Sequence, residues 1–213
     1  MKVFRSVISD AQRSIVLKLA PLLRKNHFYL GGGTAIAVQL EHRTSVDLDW
    51  FCEQRMGNPR RLVSEFKNSF PSFRQTKTSK GTIHGEIEGV RVSFLEFAYP
   101  MLNPLVIWKD GNYSMASLED LACMKLSAIV GRGARKDFID IYAILKEGFT
   151  LNGLLDSYKR KFSVDDVTPV LDALQFFGDA EAEPMPQMIW DVKWKNIKGT
   201  ILKTFKEVSK SRL

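Results

Sequence analysis

Asp47 and Asp49 stand two residues apart in SVDLDWF, and GGGT, residues 31 to 34, precedes them. In an extended segment alternate side chains share a face, so the two carboxylates project together with Phe51 while Val46, Leu48 and Trp50 go the other way. Two ionised carboxylates repel each other, and burying them is costly unless something positive joins them. A Mg²⁺ ion is the usual solution, since it takes one or two carboxylates and completes its shell with phosphate oxygens of a substrate. Gly32-Gly33-Thr34 opens a predicted short helix, where free backbone N–H groups and the helix dipole suit a phosphate and Thr34 adds a hydroxyl. Together these parts point to a nucleoside triphosphate held by its phosphates, with a metal between it and the aspartates. The other readings of a glycine turn fail. There is no Gly-Lys-Ser/Thr for a Walker A loop. A dinucleotide fingerprint needs glycine where Ile36 stands, and Trp50-Phe51 supplies no further ligand for an EF-hand.

A second group lies downstream. Read as a helix, residues 118 to 131 put Leu118, Leu121, Ala122, Lys125 and Ile129 on one stripe. A lysine inside a packed stripe either snorkels to solvent or meets a buried anion. In the next helix Phe138, Ile141, Tyr142 and Leu145 form the core stripe, and Asp137 and Asp140, three apart, share a side. They read either as acids of the same site or as solvated surface paired with Arg135 and Lys136. The turn between these helices carries Gly131, Gly133 and Arg132, and Arg132 stands where an anionic substrate would enter.

Residues 10 to 25 read as a helix that Asp10 can cap, and Phe28 to Leu30 as a short strand ending in the glycines. A helix over 34–41 leads to a strand from Ser45 to Cys52, and Pro59 opens another helix. Residues 72 to 97 change to a period of two, with turn signals at Ser79-Lys80-Gly81 and Glu88-Gly89. Val90, Val92, Phe94 and Glu96 share one face there, and Arg91, Ser93, Leu95 and Phe97 the other. Leu105 to Trp108 reads as an edge strand. Ser117-Leu-Glu-Asp120 is a capping box, and helices follow it to the end apart from loops near Gly148 and Pro184-Met185-Pro186. The predicted fold class is α+β: a mixed sheet with flanking helices over residues 1–114, then a helical part over 115–213.

Length and composition agree with a globular chain. The 213 residues can bury a real core, and 45% hydrophobic with 26% charged residues is ordinary for a folded domain. No apolar run approaches the roughly 18 residues of a membrane-crossing helix, and Arg5, Asp10, Arg13 and Lys18 interrupt what a signal peptide would keep apolar. Cys52 and Cys123 lie in apolar surroundings without metal-ligand spacing, which predicts reduced core thiols in a cytoplasmic protein. The net charge of +7 favours a polyanionic partner, and the tail concentrates it in Lys193, Lys195, Lys198, Lys203, Lys206, Lys210 and Arg212. That run reads equally as a solvated helical face. His27, His42 and His84 are too scattered for a zinc site.

GGGTAIAVQLEHRTSVDLDWF resembles the first motif of the AbiEii-type nucleotidyltransferases of the DNA polymerase β superfamily, which include toxins of type IV toxin–antitoxin and abortive-infection systems. LEDLACMKLSAIVGRGARKDFIDIYAIL, residues 118 to 145, extends the resemblance, which covers roughly residues 25 to 150. It implies a polymerase β-like core and transfer of NMP from an NTP to an acceptor hydroxyl. Gly33 and Thr34 would contact triphosphate. Asp47 and Asp49 would bind Mg²⁺, one of them also deprotonating or orienting the hydroxyl. Lys125 would hold the triphosphate, and Asp137 and Asp140 would complete the last motif. Some members act on tRNA 3′ ends, so RNA is the expected acceptor and a cognate antitoxin the expected protein partner. A protein hydroxyl as acceptor, or a site that only binds NTP, are the alternatives. One departure stands out: in VRVSFLEF, Ser93 takes the place of the third acid that such enzymes often carry, and Glu96 points to the other face of a regular strand.

Overall fold

A computed structural model describes residues 7–109 and 112–211, so Arg5 and Arg212 lie outside the described residues. The first helix whose bounds lie within the described residues is α1 (Asp10–Lys25). Ser9 caps it: the hydroxyl accepts from the Gln12 N–H at 3.2 Å and the Gln12 side chain accepts from the Ser9 N–H at 2.9 Å. Asp10, expected as the cap, sits in the first turn instead, because the Ser9 hydroxyl is the oxygen placed to reach the third helical N–H. Next come β1 (Tyr29–Leu30), α2 (Gly32–Leu40), β2 (Leu48–Cys52) and α3 (Pro59–Ser69). Three strands follow, β3 (Arg74–Ser79), β4 (Thr82–Ile87) and β5 (Val90–Glu96), joined at the two expected turns. The edge hairpin is β6 (Val106–Trp108) and β7 (Tyr113–Met115). The helices are α4 (Leu118–Arg132), α5 (Arg135–Lys146), α6 (Leu151–Phe162), α7 (Thr168–Ala173), α8 (Gly178–Ala182) and α9 (Trp194–Ser211).

The seven strands form one mixed sheet in the order β3-β4-β5-β2-β1-β7-β6. β2 runs parallel to β5 and antiparallel to β1, while β4 is antiparallel to β5. Alternation divides the sheet's residues between two faces. Leu48, Trp50, Ile83, Val92 and Phe94 are buried on one face. There the Trp50 and Phe94 rings stack at 5.2 Å, and Phe94 meets Phe66 of α3 at 3.9 Å. Burial of each such side chain contributes about 1.5–3 kcal/mol. The opposite face keeps polar groups in one lateral row, with Asp49 opposite Ser93 and Ser93 opposite His84.

The helical part covers that polar face, with α2 packed against α4 and α5. Ser117 caps α4 as expected, accepting from the Asp120 N–H at 3.0 Å. Asp120 does not return the bond to the cap backbone. Its carboxylate instead takes Lys161 Nζ at 2.7 Å and the Leu102 and Asn103 N–H groups. Both members of that ion pair are fully buried, and they fix the loop after β5 to α4 and α6. Gly133, at φ +55°, ends α4 in the left-handed conformation that glycine tolerates, while Gly131 stays helical. A segment from the far end of the chain returns to the site: the Thr44 N–H donates to the Gln187 carbonyl at 2.9 Å, and the Ile189 and Trp190 N–H groups donate to the His42 carbonyl. Cys52 and Cys123 are buried free thiols. Among the described residues no helix is long and apolar enough to cross a membrane.

Candidate active site

A cavity of about 810 Å³ opens between the polar face of the sheet and α4–α5. The sheet side presents Asp47, Asp49, Phe51, His84, Ser93, Leu95 and Phe97, and the helix side Leu121, Met124, Lys125, Arg132 and Lys136. Gly32 and Gly33 form its floor, and Pro186-Gln187 of the returning segment its rim. The lining is graded. Carboxylates, basic groups and the start of α2 gather where β2 begins, and apolar side chains gather toward Phe97.

The floor needs its glycines. Gly32 is at φ +62°, and a Cβ there would lie 2.8 Å from Asp49 Oδ2. A Cβ on Gly33 would collide with the Arg43 guanidinium. Gly32 and Gly33 both line the cavity, so the first turn of α2 borders it beside the Asp49 carboxylate, an arrangement suited to a phosphate. The Thr34 hydroxyl is turned away from it. Thr34 is buried and donates to the Asp47 carbonyl, with Ser45 Oγ at 2.7 Å. It fixes the chain leading into β2 rather than reaching for a ligand.

The two aspartates differ. Asp47 lies just ahead of β2, a quarter exposed, with Arg91 Nε at 2.7 Å. Asp49 lies deeper. Burial and the Asp47 charge push its carboxyl up, and the Ser93 hydroxyl bonded to it opposes that. A carboxylate so placed favours a cation or a proton. Glu96 turns elsewhere and accepts from the Met56 N–H at 3.3 Å.

Lys125, Asp137 and Asp140 come together, but in a closed network. Lys125 Nζ lies 2.8 Å from Asp137 and 2.7 Å from Asp140. Arg132 holds Asp137 through two nitrogens at 2.8 and 2.9 Å. Arg43 grips Asp140 with Nε at 2.7 Å and Nη2 at 2.8 Å, and His42 Nε2 adds a bond at 2.7 Å. Both acids are fully buried, so the reading of them as solvated surface paired with Arg135 and Lys136 is overturned. Burial alone would raise the Asp140 carboxyl. The Arg43 and Lys125 charges with the bonds from His42 and Arg43 outweigh it and hold the group well below the usual carboxylate range. Burial lowers His42, which keeps its ring neutral. Lys125 thus touches the cavity with its charge already matched. Arg132, half-exposed, and Lys136, exposed, are the cations with capacity for a ligand.

Comparison with known proteins decides the family. Residues 19–209 match the model of the nucleotidyl transferase AbiEii toxins of type IV toxin–antitoxin systems. The chain belongs to the AbiEii nucleotidyltransferase family. An uncharacterized protein of Aquifex aeolicus (strain VF5) is 32% identical over 177 residues, 83% of this chain and 86% of that one. Among solved structures the chain is similar to MenT4, a nucleotidyltransferase toxin of Mycobacterium tuberculosis H37Rv. The TM-score is 0.59 at 12% identity, covering 92% of this chain and 82% of that one. It is also similar to JHP933 of Helicobacter pylori, with a TM-score of 0.53 at 16% identity and 96% of each chain covered. At these identities the structural likeness establishes the polymerase β-like fold and nothing more.

Within this AbiEii nucleotidyltransferase, Gly32, Gly33, Asp47, Asp49 and Lys125 all line one cavity. Asp137 and Asp140 lie behind Lys125. The residues that sequence reasoning missed are Arg43, which clamps Asp140, Arg91, which pairs with Asp47, and His84, which adjoins Ser93. The basic tail does not line the cavity: Lys193 is exposed just ahead of α9, Lys195, Lys203, Lys206 and Lys210 are exposed along it, and Lys198 is bonded to Glu181.

Proposed function

We propose that this nucleotidyltransferase is Mg²⁺-dependent and transfers NMP from an NTP to an RNA hydroxyl, with the tRNA 3′ end as the preferred acceptor. The observation that carries the reading is one cavity lined by two aspartates, the glycine start of α2, half-exposed Arg132 and exposed Lys136. The side chains that would hold the metal are Asp47 and Asp49, both on the cavity, with phosphate oxygens completing its shell; among the described residues no group of three metal-ligating side chains adds to them. When bound, it would polarise the phosphate and stabilise charge on the attacking and leaving oxygens.

The chain's own groups do the rest. The N–H groups at Gly32-Gly33, with Arg132 and Lys136, would bind the β- and γ-phosphates and the pyrophosphate that leaves. Lys125 adds positive potential and holds Asp137 and Asp140, which act as positioning groups in this reading. Phe51, Leu95, Phe97 and Met124 form the apolar end that would receive the base, with α4 closing over it from the part of the chain beyond residue 115. The net charge of +7 and the exposed lysines of α9 support a polyanionic acceptor. Family membership supports a cognate antitoxin, and a toxin of this kind would act in the cytoplasm.

The test is incubation of the protein with Mg²⁺ and each α-³²P-NTP, in turn with total tRNA and with cell protein, beside Asp49→Ala. Label on tRNA that the substitution abolishes is the expected result. Label on protein alone would replace the RNA acceptor with a protein hydroxyl. No label from a folded protein that still binds NTP would leave a binding-only site.

A further inference from the structure

The proposed reaction needs a base for the acceptor hydroxyl, and the carboxylates near the cavity are otherwise engaged. Asp47 is bonded to Arg91, Asp49 to Ser93, and Glu96 lies at the Met56 backbone. Asp137 and Asp140 are enclosed by Lys125, Arg132 and Arg43. The position beside Asp49 on β5, where a third acid would stand, holds Ser93. One strand further, in the same lateral row, is His84, half-buried on the cavity wall with Nδ1 3.1 Å from Ser93 Oγ.

Ser93 stands between Asp49 and His84 in that row, and its hydroxyl is bonded to His84 Nδ1. A neutral imidazole carries its proton on one nitrogen and a lone pair on the other. When Nδ1 donates to Ser93 Oγ, Nε2 is the nitrogen left basic, so this serine can select the form of the ring that takes a proton.

We propose that His84 Nε2 is the proton acceptor for the hydroxyl that attacks the nucleotide, in the place of the absent third carboxylate. The proposal rests on the transfer reading above. As the hydroxyl O–H bond breaks, its proton passes to Nε2. The freed oxygen forms the bond to the α-phosphorus, and the α-phosphorus bond to the leaving oxygen breaks with its electron pair going to pyrophosphate. The charges around the ring are Lys77, its partner across the β3–β4 pairing, Glu86 and Arg91 in the adjoining row, and Arg132 and Lys136 across the cavity. Lys77, Arg91, Arg132 and Lys136 are positive and Glu86 negative, so the surroundings of the ring are predominantly cationic.

The chain has three histidines, so ¹⁵N spectra of the full protein resolve every ring. His84→Gln assigns the third set, and unchanged His27 and His42 signals show that the variant is folded. The expected ring is protonated at Nδ1 with Nε2 bare, and Ser93→Ala returns it to the Nε2–H form that a free imidazole favours. An Nε2–H ring in the wild type overturns the proposal. In the tRNA labelling assay, His84→Gln is expected to slow transfer about 10²–10⁴-fold with NTP affinity unchanged. Transfer by His84→Gln within about threefold of the wild type overturns the role of His84 and leaves the transfer reading standing. A wild-type protein that binds no NTP and labels nothing overturns both.

Discussion

Asp140→Asn tests whether the acids behind Lys125 build the site or take part in its chemistry. The carboxylate is fully buried and accepts two bonds from Arg43, one from His42 and a contact from Lys125. Asparagine keeps the shape and loses the charge, leaving Arg43 and Lys125 with Asp137 as their nearest compensation. Removing one partner of a buried pair costs about 3–5 kcal/mol, because the surviving charge stays buried. Domains have only about 5–15 kcal/mol in total, so the variant should fold with much of its margin gone. At an m-value near 3 kcal/mol per M, the urea midpoint should fall by about 1–2 M. Lys125→Met in the same background removes one stranded cation. The double variant should then be more stable than the sum of the single losses, by about 0.5–3 kcal/mol. The pH profile has a definite sign. Asp140 and Asp137 are held below their ordinary values. Their stabilisation is present above about pH 4, where the unfolded acids ionise, and is lost as the pH falls below it; Asp140→Asn should lose less there. A variant with wild-type stability that has lost nucleotide transfer would refute the reasoning and place Asp140 in the chemistry.

Four further outcomes follow from the geometry. Gly32→Ala should cost about 1–2 kcal/mol from the left-handed backbone and weaken divalent-metal binding, read by Mn²⁺ titration, because the new methyl presses on Asp49. Ser93→Asp should restore a third carboxylate, tightening Mn²⁺ binding while lowering the melting temperature in EDTA; unchanged affinity would show that Asp49 and Ser93 do not share the metal's side of the cavity. Lys161→Met should cost about 3–5 kcal/mol in urea denaturation by stranding buried Asp120, with Asp120→Asn in the same chain recovering part of it. His42→Gln should flatten stability between about pH 6.5 and lower values, since the wild-type ring is kept neutral and protonation favours the unfolded chain.

Much of this was legible in the sequence because it rests on local rules. Alternation put Asp49 and Ser93 on the face opposite Trp50 and Phe94, glycines marked the turns at 81 and 89, and Gly-Gly before an apolar run marked the start of α2. Length and spacing could not show that β4 lies beside β5 in a register that brings His84 to Ser93, since that depends on pairing between strands. Nor could they show that Arg43 crosses to Asp140, 97 residues away. One signal was available. In DFIDIYAIL, Phe138, Ile139, Ile141, Tyr142, Ala143 and Ile144 are all buried, so α5 is apolar on every side. A helix of that kind lies inside, and its acids must be paired there. The Thr34 hydroxyl carried no such signal: a threonine at a helix start can face a ligand or its own scaffold, and here Ser45 and the Asp47 carbonyl claim it.

The segment around Gln187 and Met188 bears on when the cavity is completed during the protein's own synthesis. Thr44 meets Gln187 143 positions later, and Pro186-Gln187 form one rim of the cavity. A nascent chain therefore carries its aspartates early but lacks a wall of the cleft until that late segment has emerged. Until then the aspartates face a cleft that is open on that side, so completing the cavity is among the last steps of folding as the chain leaves the ribosome.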